Sequence, residues 1–80
     1  MSLLDQTKEM ISDTTITAQV KAKYLAEKSI SVFDINVETN DGVVKLAGEV
    51  NDYNAIDKAI DIARQINGVK DVINHLTKAD

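Results

Sequence analysis

Residues 41–50 read DGVVKLAGEV. Asn40, Asp41 and Gly42 tolerate positive φ, so they predict a tight turn. From Val43 to Val50 the side chains alternate between two faces, as in a strand that buries one face. One face carries Val44, Leu46, Gly48 and Val50, and the other carries Val43, Lys45, Ala47 and Glu49.

The segment before the turn has the same period of two. Its apolar and polar residues alternate as Phe33, Asp34, Ile35, Asn36, Val37 and Glu38. Such alternation is typical of a strand with one buried face. Because a short turn brings the chain directly back, the two segments predict an antiparallel β-hairpin.

An amphipathic helix is predicted before the hairpin. Asp13 can accept a hydrogen bond from a free N–H group of the first turn, so it is the expected N-cap. The apolar stripe of this helix is predicted from Ile16, Val20 and Tyr24, which recur every four residues, with Leu25 beside them. With Gln19, Lys23 and Glu27 on the polar side, we expect a helix of about four turns that ends near Lys28.

A second helix and a third strand are predicted after the hairpin. Asn51-Asp52 interrupts the second strand and offers an N-cap, and Asn67-Gly68 is the expected end of the helix. Between them, apolar residues repeat at spacings of three and four: Tyr53, Ile56, Ala59, Ile60, Ala63 and Ile66. The third strand is indicated by Val69, Val72, Asn74 and Leu76.

These elements predict an α+β domain in the order α-β-β-α-β. We expect a three-stranded mixed sheet with two helices packed on one face, because a strand–helix–strand segment favours a right-handed crossover to a parallel strand. An all-antiparallel order would use the same residues. The domain is predicted over residues 12–78, and residues 1–11 are expected to form an N-terminal tail or a short extra helix.

Composition narrows the class of protein. The 80 residues suffice for one domain, and 13 acidic against nine basic residues give a net charge of −4, which argues against a nucleic-acid partner. Cysteine is absent, which excludes disulfides, a thiolate nucleophile and a Cys-based zinc site. No apolar stretch is long enough for a membrane-spanning helix. Because no signal peptide is visible, a cytoplasmic location stays open.

Two motifs stand at fixed places relative to the helices. Residues 42–50 follow the pattern G-V-V-x-L-x-G-x-V, and residues 68–76 follow G-V-x-x-V-x-N-x-L. With Ala59 and Ala63 between them, the chain resembles the BON domain family over about residues 12–77. The motifs contain glycines and apolar residues, and neither is catalytic.

The resemblance implies a bacterial domain of the periplasm or envelope. Members of the family occur in osmotic-shock proteins and secretin-like proteins, are often proposed to bind phospholipid, and include a potassium-binding module. The expected function is therefore a non-enzymatic binding module linked to osmotic or envelope stress, with phospholipid or the membrane surface as its partner. The resemblance implies no cofactor.

Three residues on the first helix are the candidate lipid contacts. Lys21, Tyr24 and Lys28 follow one another at spacings of three and four, so two ammonium groups could flank a ring that enters a headgroup region. Tyr24 also belongs to the apolar stripe, and a role in the core is the alternative interpretation.

The three glycines are assigned structural roles. Gly42 is expected to shape the turn, Gly48 to permit a bulge or a close approach, and Gly68 to end the second helix. For Gly48 the alternative is that it opens a groove for a ligand on the sheet.

No catalytic or metal-binding set is predicted. His75 is the only histidine and is expected on the exposed face of the third strand, without a nucleophile or second ligand beside it. Asp57 and Asp61 are neighbours on the polar side of the second helix, where a solvated pair is expected. These observations argue against an enzyme.

Two alternatives to lipid binding stay open. A small sheet has free edge strands, which could pair with another protein or with a second copy of the chain. Potassium binding, the third candidate, would need converging oxygen ligands, for which Asn40-Asp41 and Asn51-Asp52 at the strand ends are candidates.

Overall fold

Two helices and three strands follow one another in the predicted order. The computed structural model describes residues 11–28, 30 and 34–79. Its elements are α1 (Asp13–Ala26), β1 (Ile35–Asn40), β2 (Val43–Val50), α2 (Tyr53–Arg64) and β3 (Asp71–Lys78). Of the predicted tail at residues 1–11 only Ile11 is described, and the predicted strand position Phe33 also lies outside the described residues.

The sheet is mixed, with strand order β1-β2-β3. β1 pairs with β2 antiparallel from Ile35 opposite Gly48 to Asn40 opposite Val43. β3 runs parallel to β2, beginning with Val43 opposite Asp71. The predicted mixed sheet is thus confirmed, and the all-antiparallel order is excluded.

The hairpin closes through a two-residue turn at Asp41 and Gly42. Their φ angles are 52° and 82°, so both residues are left-handed, as a type I′ turn requires. Lys70 donates its backbone N–H to the Gly42 carbonyl at 2.8 Å, which attaches the start of β3 to this turn. The turn therefore sets the register of both strand pairs.

Both helices cover the same face of the sheet. On that face Val44, Leu46 and Val50 of β2 are buried, whereas Lys45 and Glu49 point to the opposite face and are exposed. The helices contribute a largely apolar set of buried residues: Ile16, Val20, Tyr24, Ala55, Ile56, Ala59 and Ala63. Burying each large side chain of this set contributes roughly 1.5–3 kcal/mol, so the core is the main source of stability.

Leu25, predicted beside the apolar stripe of α1, does not contribute to the core. Leu25 is 68% exposed, whereas Tyr24 is fully buried. One residue advances the helix by about 100°, and the core lies toward Ile16 and Val20 rather than toward the far side of Tyr24. Leu25 consequently faces away from the sheet.

The N-cap of α1 is Ser12, not Asp13. The Ser12 hydroxyl accepts a hydrogen bond from the Thr15 N–H at 3.1 Å. Asp13, the first helical residue, instead accepts from the backbone N–H groups of Asp41 at 2.9 Å and Gly42 at 3.0 Å. The carboxylate expected to cap the helix therefore holds the hairpin turn against the helix N-terminus.

The other helix ends are close to their predicted places. α1 ends at Ala26, because Glu27 adopts an extended conformation, and the predicted end at Lys28 is about half a turn too late. Asp52 caps α2 as predicted, accepting the Ala55 N–H at 2.8 Å. α2 ends at Arg64, and Gly68 in the connection to β3 has a φ of 92°.

Gly48 allows the start of β1 to approach β2 closely. Its φ is 125°, and a Cβ atom built on it would collide with the backbone carbonyl of Asp34. Any side chain here would both strain the backbone and push the strands apart. The close approach is to backbone rather than to an open groove.

Candidate functional site

The side of α1 that faces away from the sheet is the candidate binding surface of the molecule. Ile16, Val20 and Tyr24 define the buried side. The opposite side is exposed, and five of its residues are called the outer face of α1 below: Thr14, Ala18, Lys21, Ala22 and Leu25.

The outer face is largely apolar. Ala18, Ala22 and Leu25 follow one another at spacings of four and three, so their side chains form one stripe with Lys21 beside it. α1 thus carries apolar residues on two opposite sides, one of which has no cover among the residues that the structure describes. Leu25, which is 68% exposed, is the one large apolar side chain of this stripe.

α2 provides the contrast within the same molecule. Its buried side is apolar, and its other side carries the exposed residues Asn54, Asp57, Lys58 and Asp61. This is the ordinary amphipathic pattern of a surface helix, and the predicted solvated position of Asp57 and Asp61 agrees with it. Tyr53 at its first position is the exposed apolar residue of α2, which therefore has no apolar stripe like that of α1.

The three predicted lipid contacts have different environments. Lys21 is exposed on the outer face of α1, and Lys28 is exposed in the turn that follows the helix. Tyr24 is fully buried, and its hydroxyl donates a hydrogen bond to the Ala59 carbonyl at 2.7 Å. Burial raises the pKa of the Tyr24 phenol well above its usual value. Tyr24 belongs to the core and has no ring surface available for a headgroup.

A recess of about 370 Å³ lies beside the outer face, between α1 and the end of β1. The hydroxyls of Thr17 and Thr39, both in its lining, share a hydrogen bond of 2.7 Å. Its lining is Asp13, Thr14, Thr17, Ala18, Lys21 and Thr39. Hydroxyl groups and one ammonium group next to an apolar stripe suit a small polar group with an apolar attachment.

A larger recess, of about 670 Å³, lies where the hairpin turn, the start of α1 and the start of β3 meet. Asp13 and Asp41 contribute carboxylates and Lys70 an ammonium group to its lining. Both oxygens of Asp13 already accept backbone N–H groups, so this carboxylate serves the fold. The recess is open and mixed in charge, and its geometry selects no particular ligand.

The oxygen ligands considered for potassium do not come together. Asn40-Asp41 and Asn51-Asp52 lie at opposite ends of β2, an eight-residue strand, which separates them by roughly 25 Å. The Asp52 carboxylate is engaged as the cap of α2. Within residues 11–28, 30 and 34–79, no three His, Asp or Glu side chains converge as a metal site would require.

His75 lies on the sheet face that the helices leave uncovered, opposite Ala47 of β2, and it is exposed as predicted. Ile73, two residues before it on the same face, is partly exposed. No helix in the described part of the chain is long and apolar enough to cross a membrane.

The outward position of Leu25 is indicated by a second pattern in the sequence. Ala18, Ala22 and Leu25 form a second apolar stripe at spacings of four and three, parallel to the one through Ile16 and Val20. Two such stripes on one helix mean that one of them faces outward, since the other is sufficient to reach the core. The structure shows that Leu25 belongs to the outward stripe.

Comparison with known proteins identifies relatives of the whole domain. The sequence profile described as "BON domain" matches residues 12–79. The chain is 44% identical over 64 residues to osmotically-inducible protein Y of Escherichia coli, covering 80% of this chain and 32% of that protein.

Two further relatives come from other bacteria. The outer membrane lipoprotein DolP of Haemophilus influenzae is 37% identical, over 81% of this chain and 33% of that protein. A protein named 21 kDa hemolysin, from Actinobacillus pleuropneumoniae, is 36% identical, over 76% of this chain and 31% of that protein. The chain thus spans about a third of the length of these relatives.

Proposed function

The chain belongs to the BON domain family, and we propose that it is a non-enzymatic module of the bacterial envelope. In this proposal it binds anionic phospholipid surfaces through the outer face of α1. The names of two relatives, an osmotically-inducible protein and an outer membrane lipoprotein, support a place in the envelope and a link to osmotic stress.

The exposed apolar stripe of α1 carries the proposal. A helix that lies on a membrane inserts apolar side chains at the boundary between headgroups and acyl chains, and its lysines extend toward the phosphates. Leu25 supplies the largest apolar side chain of the stripe, and Lys21 lies one turn before it. These two residues are the principal contacts in the proposal, and Lys28 adds a second cation after the helix.

Electrostatics favours an anionic over a zwitterionic surface. Each lysine near an anionic membrane contributes about 1 kcal/mol, and the attraction decays within a Debye length of about 8–10 Å. The net charge of −4 belongs to the whole chain, whereas the outer face of α1 contains one cation and no anion. The attraction of Lys21 is local and acts against the repulsion from acidic residues outside this face, which include Asp13 at the neighbouring recess.

The recess beside Lys21 is the proposed position of the headgroup. Thr14 and Thr17 contribute hydroxyls to its lining, and hydroxyl and ammonium groups both donate hydrogen bonds to phosphate oxygens. Asp13 lies at the same recess, but its carboxylate is held by the backbone of the hairpin turn.

Vesicle binding tests the proposal. Purified protein is titrated with vesicles of phosphatidylglycerol or of phosphatidylcholine, and the bound fraction is measured by co-sedimentation. We expect saturable binding to phosphatidylglycerol alone. Lys21→Glu should weaken binding by at least about fivefold, and Leu25→Ser by about tenfold, because they remove the cation and the largest inserted side chain.

Matched controls separate this face from general surface effects. Tyr53 on α2 is 69% exposed, almost the same as Leu25, so Tyr53→Ser removes a comparable exposed apolar side chain elsewhere. Lys78→Glu reverses an exposed charge on β3. Both controls should bind as the unmodified protein does. Equal losses in the controls and the α1 variants, or no binding to either vesicle, would refute the proposal.

A further inference from the structure

The two outer strands of the sheet differ in their free edges. The parallel pairing turns the N–H groups of Val72 and Leu76 away from β2. Each of these groups donates to a side chain of its own strand, Val72 to the Asp71 carboxylate at 2.8 Å and Leu76 to the Asn74 amide oxygen at 2.9 Å. These side chains occupy two of the outward-facing N–H positions of β3, so this edge is less open to an incoming strand.

The β1 edge has no such protection in the described part of the chain. The two-residue turn makes Asn40 and Val43 a hydrogen-bonded pair, and the groups of Glu38 and Asn36 then also point toward β2. The backbone groups of Ile35, Val37 and Thr39 alternate with them and point outward. No described side chain accepts the N–H groups of these three residues.

We propose that the β1 edge pairs with β1 of a second copy of the chain. The strands would run antiparallel about a two-fold axis at Val37, with Ile35 of each copy opposite Thr39 of the other. This register uses the three outward-facing residues of each strand and forms about six backbone hydrogen bonds. It joins two three-stranded sheets into one continuous sheet.

The side chains of β1 are complementary to themselves in this register. On the uncovered face of the sheet, Asn36 of one copy lies opposite Glu38 of the other, so that an amide can donate to a carboxylate twice per dimer. Glu38 is already paired with Lys45 in its own chain, with Nζ and Oε1 3.6 Å apart. No like charges face each other across the axis, which favours a second copy over an arbitrary strand.

The pairing has a consequence for the arrangement of the helices. The two-fold axis stands perpendicular to the sheet, so both copies of α1 lie on the same side of it. The inference itself does not depend on lipid binding, since it rests on backbone groups of β1 and on the uncovered face of the sheet.

Two substitutions of Asn36, one to an acidic and one to a basic residue, test the register. In the dimer, Asn36→Glu puts like charges opposite Glu38 in two symmetric pairs, whereas Asn36→Lys puts opposite charges there. Asn36 is exposed and pairs with Ala47 in its own sheet, so both variants should fold. Sedimentation equilibrium should show dimerisation about fivefold weaker for Asn36→Glu and about fivefold stronger for Asn36→Lys.

Thr77 provides the matched control on the other edge strand. It is exposed and lies on the same sheet face, so Thr77→Glu and Thr77→Lys should leave dimerisation unchanged. Amide exchange of Ile35, Val37 and Thr39 should also slow as protein concentration rises. The proposal would be overturned by a chain that stays monomeric up to millimolar concentration or by equal association of the two Asn36 variants. It would also be overturned if amide exchange slowed in β3 instead of β1.

Discussion

Tyr24 shows how one side chain can connect two helices. Its ring is fully buried between α1 and α2, and its hydroxyl donates to the Ala59 carbonyl at 2.7 Å. A buried hydroxyl without a partner would cost about 1–3 kcal/mol, so the hydrogen bond is what makes a tyrosine acceptable here. The bond also fixes the position of α2 along α1.

Tyr24→Phe should destabilise the protein by about 1 kcal/mol. The ring packing is kept, and the Ala59 carbonyl still accepts the helical N–H four residues later, so only the net value of one hydrogen bond is lost. Urea unfolding followed by circular dichroism measures the change. Tyr53→Phe, at an exposed position, should change stability by less than about 0.5 kcal/mol. Equal effects of both substitutions would contradict the assigned role of the Tyr24 hydroxyl.

The same residue predicts a loss of stability in alkali. Burial raises the pKa of Tyr24, so the folded state keeps the phenol neutral at a pH where the unfolded chain ionises it. The unfolded chain binds fewer protons above its pKa of about 10, and the free energy of unfolding should decline from there upward. Urea titrations between pH 8 and pH 11 should show a smaller decline for Tyr24→Phe. An identical decline in both proteins would contradict this assignment.

At the scale of elements, the N-terminus of α1 and the hairpin turn form one unit. Asp13 accepts two backbone N–H groups of the turn, and Lys70 at the start of β3 donates to the same turn. An acidic residue in the first turn also interacts favourably with the helix dipole. Three segments that are distant in sequence are thus joined at one corner of the molecule.

Asp13→Ala should destabilise the protein more than Ser12→Ala does. The first removes charge-assisted hydrogen bonds to two turn amides, worth about 1.5–3 kcal/mol, and the second removes a helix cap, worth about 1 kcal/mol. Chemical denaturation of the two variants gives the comparison. A larger loss of stability in Ser12→Ala than in Asp13→Ala would contradict the role assigned to Asp13.

The elements show what could be predicted from the sequence and why. Alternation and helical spacing located all five elements, because each follows from burial on one side. The role of Asp13 could not be read from the sequence, since its partners lie 28 and 29 residues away in the chain. Ser12 and Asp13 are both good N-caps, and local preference does not choose between them.

The candidate site is predicted only in part from the sequence. Lys21 and Lys28 were expected on the surface and lie there, whereas Tyr24 lies in the core and Leu25 outside it. Leu25 lies five residues after Val20, about 140° around the helix, so the spacing itself places it outside the stripe that Tyr24 continues. Whether the Tyr24 ring packs in the core is decided by the contacts of α1 with β1 and α2, which the spacing does not give.

At the scale of the whole molecule, β2 should exchange its amide hydrogens the most slowly. It is the central strand, bonded to neighbours on both sides, and its residues Val44 and Leu46 are fully buried. Opening it requires separation from both β1 and β3, which approaches global unfolding. Hydrogen exchange followed by NMR measures the order, and slower exchange in β1 or β3 would contradict it.

The parallel pairing of β3 also has a consequence for synthesis. A ribosome delivers β1 and β2 together as a hairpin, but the far edge of β2 lacks its partner until residues 71–78 have emerged. During that interval the nascent chain presents a strand with one apolar face and an unpaired edge, a state in which chains are exposed to wrong partners. Codons that slow translation between the hairpin and β3 should therefore lower the yield of native protein.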